Sequence, residues 1–125
     1  MPSQWGAIAS RNKAKLLKVA VATSKAMAKK VIKRSPVDTG RFKGNWNSSI
    51  NAPDLTMDRG SGGGSTEVAN RLKIGDTFYF VNNLHYALRL EFGWSNQAPM
   101  GMIRLTVAEY RDTVDAEVNI IMRTS

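Results

Sequence analysis

The sequence predicts an α+β fold in which a long basic N-terminal helix and a long C-terminal helix pack on a small, mostly antiparallel β-sheet. The first 37 residues carry nine Lys or Arg and no acid, within an Ala- and Leu-rich stretch typical of a helix. Residues 77–81 are aromatic and β-branched, as in a strand. Apolar residues then recur at helical spacing towards the C-terminus. A chain of 125 residues is long enough for one modest core, so we expect a single domain over 1–125.

We expect the N-terminal helix to run from about residue 10 to residue 34. This range contains no Gly or Pro, and Pro36 disfavours helical geometry at the residue before it. At 3.6 residues per turn, one face carries the small and apolar side chains of Leu16, Ala20, Ser24, Met27 and Val31. The opposite stripe, which we call the basic face, carries Arg11, Lys15, Lys18, Lys25, Lys29 and Lys33.

Three interpretations of the basic face stay open at this stage. It is a solvated surface, a surface for nucleic-acid phosphates, or a contact with an acidic neighbouring subunit. An amphipathic, acid-free N-terminus also suggests a mitochondrial presequence, but those favour Arg, whereas Lys predominates here. The net charge of +8 belongs almost wholly to this segment, because residues 38–125 carry nine basic and ten acidic side chains.

The middle of the chain predicts a reversal, a strand and a loop. Residues 35–40 are rich in turn formers, and residues 41–50 predict a strand around Phe42, Trp46 and Ile50. A Gly-rich loop follows at about 59–65. It lacks the Gly-Lys-Ser/Thr ending of a phosphate-binding loop, so we expect no nucleotide and no other cofactor.

Further elements alternate up to the C-terminus. A short helix is predicted at 67–72, capped by Ser65 or Thr66 and closed by Gly75. The strand at 77–81 comes next, and a short helix at 86–92 is closed by Gly93. The second long helix is expected from about 100 to 122 with a net charge of −2. Its charge is opposite to that of the first, which favours packing of the two helices within or between subunits.

Catalytic chemistry has one candidate, the triplet Asp38-Thr39-Gly40, which matches the active-site triplet of aspartic proteases. A symmetric dimer with one such carboxylate per subunit satisfies that chemistry, but those enzymes are nearly all-β, and here a lysine-rich helix precedes the triplet. The chain has no Cys, and His85 is its only His, so we expect no metal site and no catalytic residues. Glu91 is interpreted as a structural ion-pair or interface residue. The longest uncharged stretches have twelve residues, which predicts no membrane contact.

Two blocks of sequence and one further segment form a recognisable pattern. The first block is Ser-Pro-Val-Asp-Thr-Gly-Arg at 35–41, followed by Asn-Trp at 45–46. The second is Phe-Val-Asn-Asn-Leu-His-Tyr-Ala-Leu-Arg-Leu-Glu-Phe-Gly at 80–93, and the segment Gln-Ala-Pro-Met-Gly-Met-Ile-Arg at 97–104 leads into a helix. Together these motifs resemble the head-tail joining, or tail-component, family of tailed bacteriophages. The residues that carry the resemblance are Asp38, Thr39, Gly40, Arg41, Trp46, Asn82, Asn83, Tyr86, Glu91 and Gly93.

The resemblance implies a virion structural protein of the neck, assembled in the host cytoplasm. Such proteins form homo-oligomeric rings around the DNA channel, here expected to be six- or twelve-fold, between a head-closure or adaptor ring and the tail terminator or tail tube. On this interpretation Asp38 forms a turn, and the second block serves packing or subunit contact. The basic face then lines the channel in non-specific contact with genomic DNA, or meets an acidic helix of a neighbour. A stand-alone basic DNA-binding protein is the alternative, and a dimeric aspartic protease is a remote one.

Overall fold

The computed structural model of the protein describes residues 4–35, 42–56, 65–84, 87, 91–92 and 101–124. A two-stranded antiparallel sheet and three α-helices form the described part of the fold, which confirms the predicted α+β class. Its elements in chain order are α1 (Gln4–Arg34), β1 (Trp46–Ile50), β2 (Phe78–Asn82), α2 (Ile103–Ala108) and α3 (Tyr110–Thr124), with short 3-10 helices at Lys43–Asn45 and Glu67–Arg71.

Helix α1 ends at Arg34, as predicted, but begins at Gln4 rather than near residue 10. Residues 4–9 contain Gly6 as their only poor helix former, and Gly is tolerated where a long helix is already nucleated. Burial along the predicted apolar face increases towards the C-terminus of α1, from exposed Leu16 and Ala20 through half-buried Ser24 and Met27 to buried Val31. Val31 is 6% exposed, whereas Leu16 is 63% exposed.

The first predicted strand is shorter than expected. Residues 41–50 were predicted as a strand, but β1 contains only Trp46–Ile50, because the amide of Asn45 donates to the carbonyl of Phe42 and closes a 3-10 turn. This turn brings Phe42 into the core, where it meets the Trp46 ring edge-on at 5.8 Å. Tertiary packing thus overrides the strand propensity of the segment.

Strand β2 confirms the predicted strand with a shift of one residue, and it pairs with β1 from Trp46↔Asn82 to Ile50↔Phe78. Asn51 closes the open end of the sheet in a left-handed conformation with φ +66°. Its amide donates to the Thr77 carbonyl, and its side-chain oxygen accepts the Thr77 amide, at 2.8 and 2.9 Å. These bonds stabilise a backbone conformation that Asn tolerates better than most residues.

The helix predicted at 67–72 is a 3-10 helix at Glu67–Arg71. Thr66 occupies the N-cap position without a side-chain cap hydrogen bond, while the Ser65 hydroxyl, one residue earlier, accepts the Glu67 amide at 3.2 Å. A segment this short between two loops makes too few hydrogen bonds to propagate an α-helix. It packs against α1 and β1 and buries Ala69 and Leu72. Gly75 follows with φ +93°.

The C-terminal helix predicted at 100–122 is interrupted. Glu109 separates α2 from α3, and its amide donates to Thr106 three residues back instead of four. Thr106 and Thr113 also donate their hydroxyls to the carbonyls four residues before them, a contact that often bends helices. Of the short helix predicted at 86–92, the structure describes Ala87 and Glu91 as helical. The Gly-rich loop lies outside the described residues except for Ser65.

The core lies where α1, the sheet and the start of α2 meet. Trp46 is its centre, stacked on Phe80 with ring centroids 5.0 Å apart. The five buried residues of this core are Val31, Phe42, Trp46, Leu84 and Met102.

Candidate functional site

The first motif block connects the end of α1 to the sheet. Trp46 donates its indole N–H to the Ser35 hydroxyl at 2.9 Å, and that hydroxyl donates to the Val31 carbonyl at 2.8 Å. Because Ser35 and Trp46 are 4% and 3% exposed, this chain of hydrogen bonds is shielded from water. The other residues of the block, Asp38, Thr39, Gly40 and Arg41, lie outside the described residues.

The second motif block lies beside the first in the sheet, since Trp46 and Asn82 are direct cross-strand partners. Asn82 donates its side-chain amide to the Phe42 carbonyl at 2.9 Å, and its side-chain oxygen accepts the Leu84 amide at 3.1 Å. Asn83 donates to the carbonyl oxygens of Asp54 and Thr56 at 2.8 and 3.1 Å. The two asparagines therefore supply hydrogen bonds to backbone groups that lie outside regular helices and strands.

Glu91 has the densest set of contacts among the described motif residues. One carboxylate oxygen accepts the backbone amides of Met102 and Ile103, both at 2.8 Å. The other accepts the Arg104 amide and the Arg104 Nε, both at 3.0 Å. Arg104 also donates Nη2 to the Glu91 carbonyl at 2.6 Å and lies over the Phe92 ring. Glu91 thus caps the start of α2 from a distant part of the chain, where a carboxylate is favourable.

The electrostatics of Glu91 fit this capping role. Burial raises the pKa of its carboxyl, but the hydrogen bonds from three backbone amides and from Arg104 outweigh burial, so the pKa lies below its ordinary value. The residue is therefore held as a carboxylate by its donors. Tyr86 and Gly93, the other members of this part of the motif, lie outside the described residues.

Gly101 is a partner of Glu91 that the sequence interpretation did not single out. It adopts φ +83°, and a Cβ placed on it would lie 2.5 Å from a Glu91 carboxylate oxygen and 2.7 Å from the Glu91 carbonyl oxygen. Only glycine fits this approach. The sequence signal was the Met-Gly-Met segment before the predicted helix, which the family resemblance already included.

The basic face of α1 is mostly open to solvent. Four of its six residues are exposed, and Lys15 and Lys25 are half-buried. Lys25 donates its ammonium to the side-chain oxygen of Asn70 at 3.1 Å, so it belongs to an intramolecular contact as well as to the face. The four exposed residues are Arg11, Lys18, Lys29 and Lys33.

Two cations outside the predicted stripe make the contact between the long helices. Arg34 donates to both carboxylate oxygens of Glu109 at 2.7 Å, and Lys30 donates to the Thr113 hydroxyl at 2.7 Å and approaches Glu109 at 3.4 Å. Hydrogen bonds from Arg34 hold the pKa of Glu109 below its ordinary value. Opposite charges on the two long helices therefore attract each other within the chain, and the residues involved, Lys30 and Arg34, do not belong to the basic face.

In the described part of the chain, no three His, Asp or Glu side chains lie close enough together to bind a metal ion. None of the described helices is long and apolar enough to span a membrane. The protease-like triplet 38–40 and His85 both lie outside the described residues.

Comparison with known proteins returns no match: no family model, no curated protein and no solved structure is similar to this chain.

Proposed function

We propose that this protein is a ring-forming structural subunit of the neck of a tailed bacteriophage, joining the DNA-filled head to the tail. The proposal rests on the two sequence blocks described above, in the order and at the separation found in the head-tail joining family. It includes the neighbours that the resemblance implies: a head-closure or adaptor ring on one side and a tail terminator or tail tube on the other.

The proposal is supported mainly by the hydrogen bonds that the described motif residues form within the chain. Hydrogen bonds made by four motif residues join parts of the chain that lie 11 to 40 residues apart. These residues are Trp46, Asn82, Asn83 and Glu91. These four residues also line a cavity of about 450 Å³, but the polar atoms described above are bonded within the chain, whereas an enzyme site keeps reactive groups available to a substrate. Motif residues engaged in fixing the chain instead suit a structural subunit, whose task is to hold its shape in an assembly.

The basic face supports a place beside DNA. Cations aligned on one side of a helix contact phosphates without reading bases, and such contacts are weak, numerous and sensitive to salt. DNA passing through a channel requires contacts of this kind, because it has to slide. In this proposal the exposed residues Lys18, Lys29 and Lys33 of the basic face line the channel or approach it.

A cryo-electron microscopy map of the assembled particle tests the proposal. The expected result is a closed ring of this chain at the head-tail junction, with six- or twelve-fold symmetry and α1 directed towards the channel. A particle whose neck is complete without this chain would disprove the proposal.

A stand-alone DNA-binding protein is the second candidate, and the acid-free basic face favours it. This function requires the isolated chain to bind duplex DNA with an affinity that falls steeply with salt. Neutralising Lys15, Lys18, Lys25 and Lys29 to Gln should abolish binding, whereas Lys43→Gln and Lys73→Gln, which lie off the helix, should not. Binding that is equally weak in all these proteins would eliminate this candidate.

A further inference from the structure

An open apolar groove runs between α1, β2 and the α2–α3 pair and encloses about 600 Å³. Its α2 and α3 side is strongly exposed, with Val107 at 58% and Tyr110 at 55%. Phe78 and Phe80 line the sheet side. Thr23 also lines the groove, and its buried hydroxyl has no hydrogen-bond partner among the described residues. The apolar side chains gathered along this groove form a surface on which an apolar partner can pack.

The N-terminal part of α1 contains a segment that the rest of the described chain leaves uncovered. Residues 9–14 are exposed at every position. Six consecutive residues point in every direction around a helix, so no face of residues 9–14 is covered by the rest of the described chain. Most helical stability in proteins comes from packing of one face, so a partner that covers this segment would stabilise the start of α1. We call residues 4–15 the arm.

We propose that the arm of one subunit binds in the groove of a second copy of the same chain. The arm begins with an uncharged sequence up to Ser10, in which Ile8 and Ala9 supply apolar groups for the groove. It continues with Arg11, Lys13 and Lys15 and contains no acid.

Charge favours the groove over other partners for the arm. Asp76 lines the groove, and Asp112 and Asp115 are exposed on the adjoining helix α3. Two arms packed on one another would bring cations against cations, at a cost in free energy. Helix α3 carries three acidic residues and two arginines, so its net charge is negative and it suits a basic arm better than a second arm does.

Geometry excludes binding of the arm in its own groove. The C-terminal half of α1 forms one wall of that groove, and the arm continues the same helix beyond it. A continuous helix cannot turn back onto the surface that it is building, so the partner has to be another molecule.

An arm and a groove are different surfaces, so their contact is head-to-tail rather than two-fold symmetric. Contacts of this kind build a closed ring when the rotation between neighbours divides the circle, and an open filament when it does not. This inference rests on the proposed function, in which the chain forms a ring, and it names the two surfaces through which neighbouring subunits of that ring contact each other.

The first experiment compares matched Asp variants of the full chain by sedimentation velocity over a range of concentrations. Ile8→Asp places a charge in the arm and Val107→Asp places one in the groove, and each should weaken self-association at least about tenfold, since an unpaired charge is costly in an apolar contact. The controls are Ser10→Asp, on an exposed part of the arm, and Leu105→Asp, on α2 but outside the groove lining.

Mixing the two defective variants is the sharper test. The Ile8→Asp chain retains a native groove, and the Val107→Asp chain retains a native arm. Together they should form a one-to-one pair that grows no further, although neither associates alone. Circular dichroism and thermal unfolding check that both variants are folded.

Three results would overturn the arm-and-groove contact. They are a native chain that stays monomeric at every concentration, controls that lose association as much as the variants, or association that survives Val107→Asp, which would assign the groove to a different occupant. These results are distinct from failure of the neck proposal. If the chain associates through arm and groove but is missing from the particle neck, the arm-and-groove contact stands and the neck proposal fails. If the chain forms a neck ring through other surfaces, the neck proposal stands and the arm-and-groove contact fails.

Discussion

Replacing Glu91 by Gln tests the idea that this motif residue acts as a structural cap. The variant keeps the size of the side chain and one oxygen acceptor. It replaces the other oxygen with an amide group that faces donors, the Arg104 amide and Nε or the amides of Met102 and Ile103. At least two hydrogen bonds are lost, and the negative charge at the start of α2 disappears.

The magnitude follows from these contacts. Hydrogen bonds to a charged group contribute about 1.5–3 kcal/mol each, and a charge at a helix N-terminus about 0.3–1 kcal/mol. Because contacts that share one side chain are not additive, we expect the free energy of unfolding to fall by about 2–4 kcal/mol. For a chain of this size that lowers Tm by roughly 10 °C.

The assay is thermal and urea unfolding followed by circular dichroism, with Glu67→Gln as the matched control. Glu67 is exposed and accepts a single hydrogen bond, from Asn70, so the same chemical change there should cost less than about 0.5 kcal/mol. The loss at Glu91 should also depend on pH. Because its pKa is lower in the folded state, its contribution is complete above the unfolded pKa of about 4.3 and disappears as pH falls through the folded pKa. Equal losses in the two variants at pH 7 would refute the capping role.

The remaining predictions concern contacts of the same kind. Gly101→Ala should destabilise the protein by about as much as Glu91→Gln, because the new Cβ meets the Glu91 carboxylate and backbone, and the two changes combined should cost less than their sum in a double-mutant cycle. Arg34→Met should cost less than Glu91→Gln and should lose part of its effect in about 1 M salt, because the Arg34–Glu109 pair is partly exposed; urea unfolding at two salt concentrations measures this. Acid titration of the native chain should show stability falling below about pH 5, because the pKa values of Glu91, Glu109 and Asp76 all lie below their ordinary values in the folded state, so protonation favours unfolding. A stability that stays constant down to about pH 3 would contradict that prediction.

Local signals were sufficient for several elements. The end of α1 at Arg34 follows from Pro36, and the strand around Phe80 follows from a run of aromatic and β-branched residues. The contact between the Ser65 hydroxyl and the Glu67 amide also needs only local sequence, because Ser side chains often bond to the backbone two residues on.

The candidate site was only partly predictable. The two motif blocks singled out Trp46 and Glu91, and Glu91 was interpreted as a structural ion-pair or interface residue from its place on a predicted short helix. The sequence did not reveal that its partner is Arg104, thirteen residues away, or that Gly101 has to make room for its carboxylate. Such contacts depend on how the segment around Glu91 meets the start of α2 in the folded chain, and no periodicity encodes that.

The sequence by itself determined the helical and strand segments with strong local preferences, the acid-free N-terminus and the positions of the motif blocks. Tertiary structure alone decided that residues 43–45 form a 3-10 turn and that Lys30 and Arg34 bond to Thr113 and Glu109. It also decided that an apolar groove stays open and that residues 9–14 of the arm are exposed. The physical reason is distance along the chain. Helix and strand preferences act over a few residues, whereas packing and ion pairs join residues 72 to 83 positions apart and emerge only when the whole chain has folded.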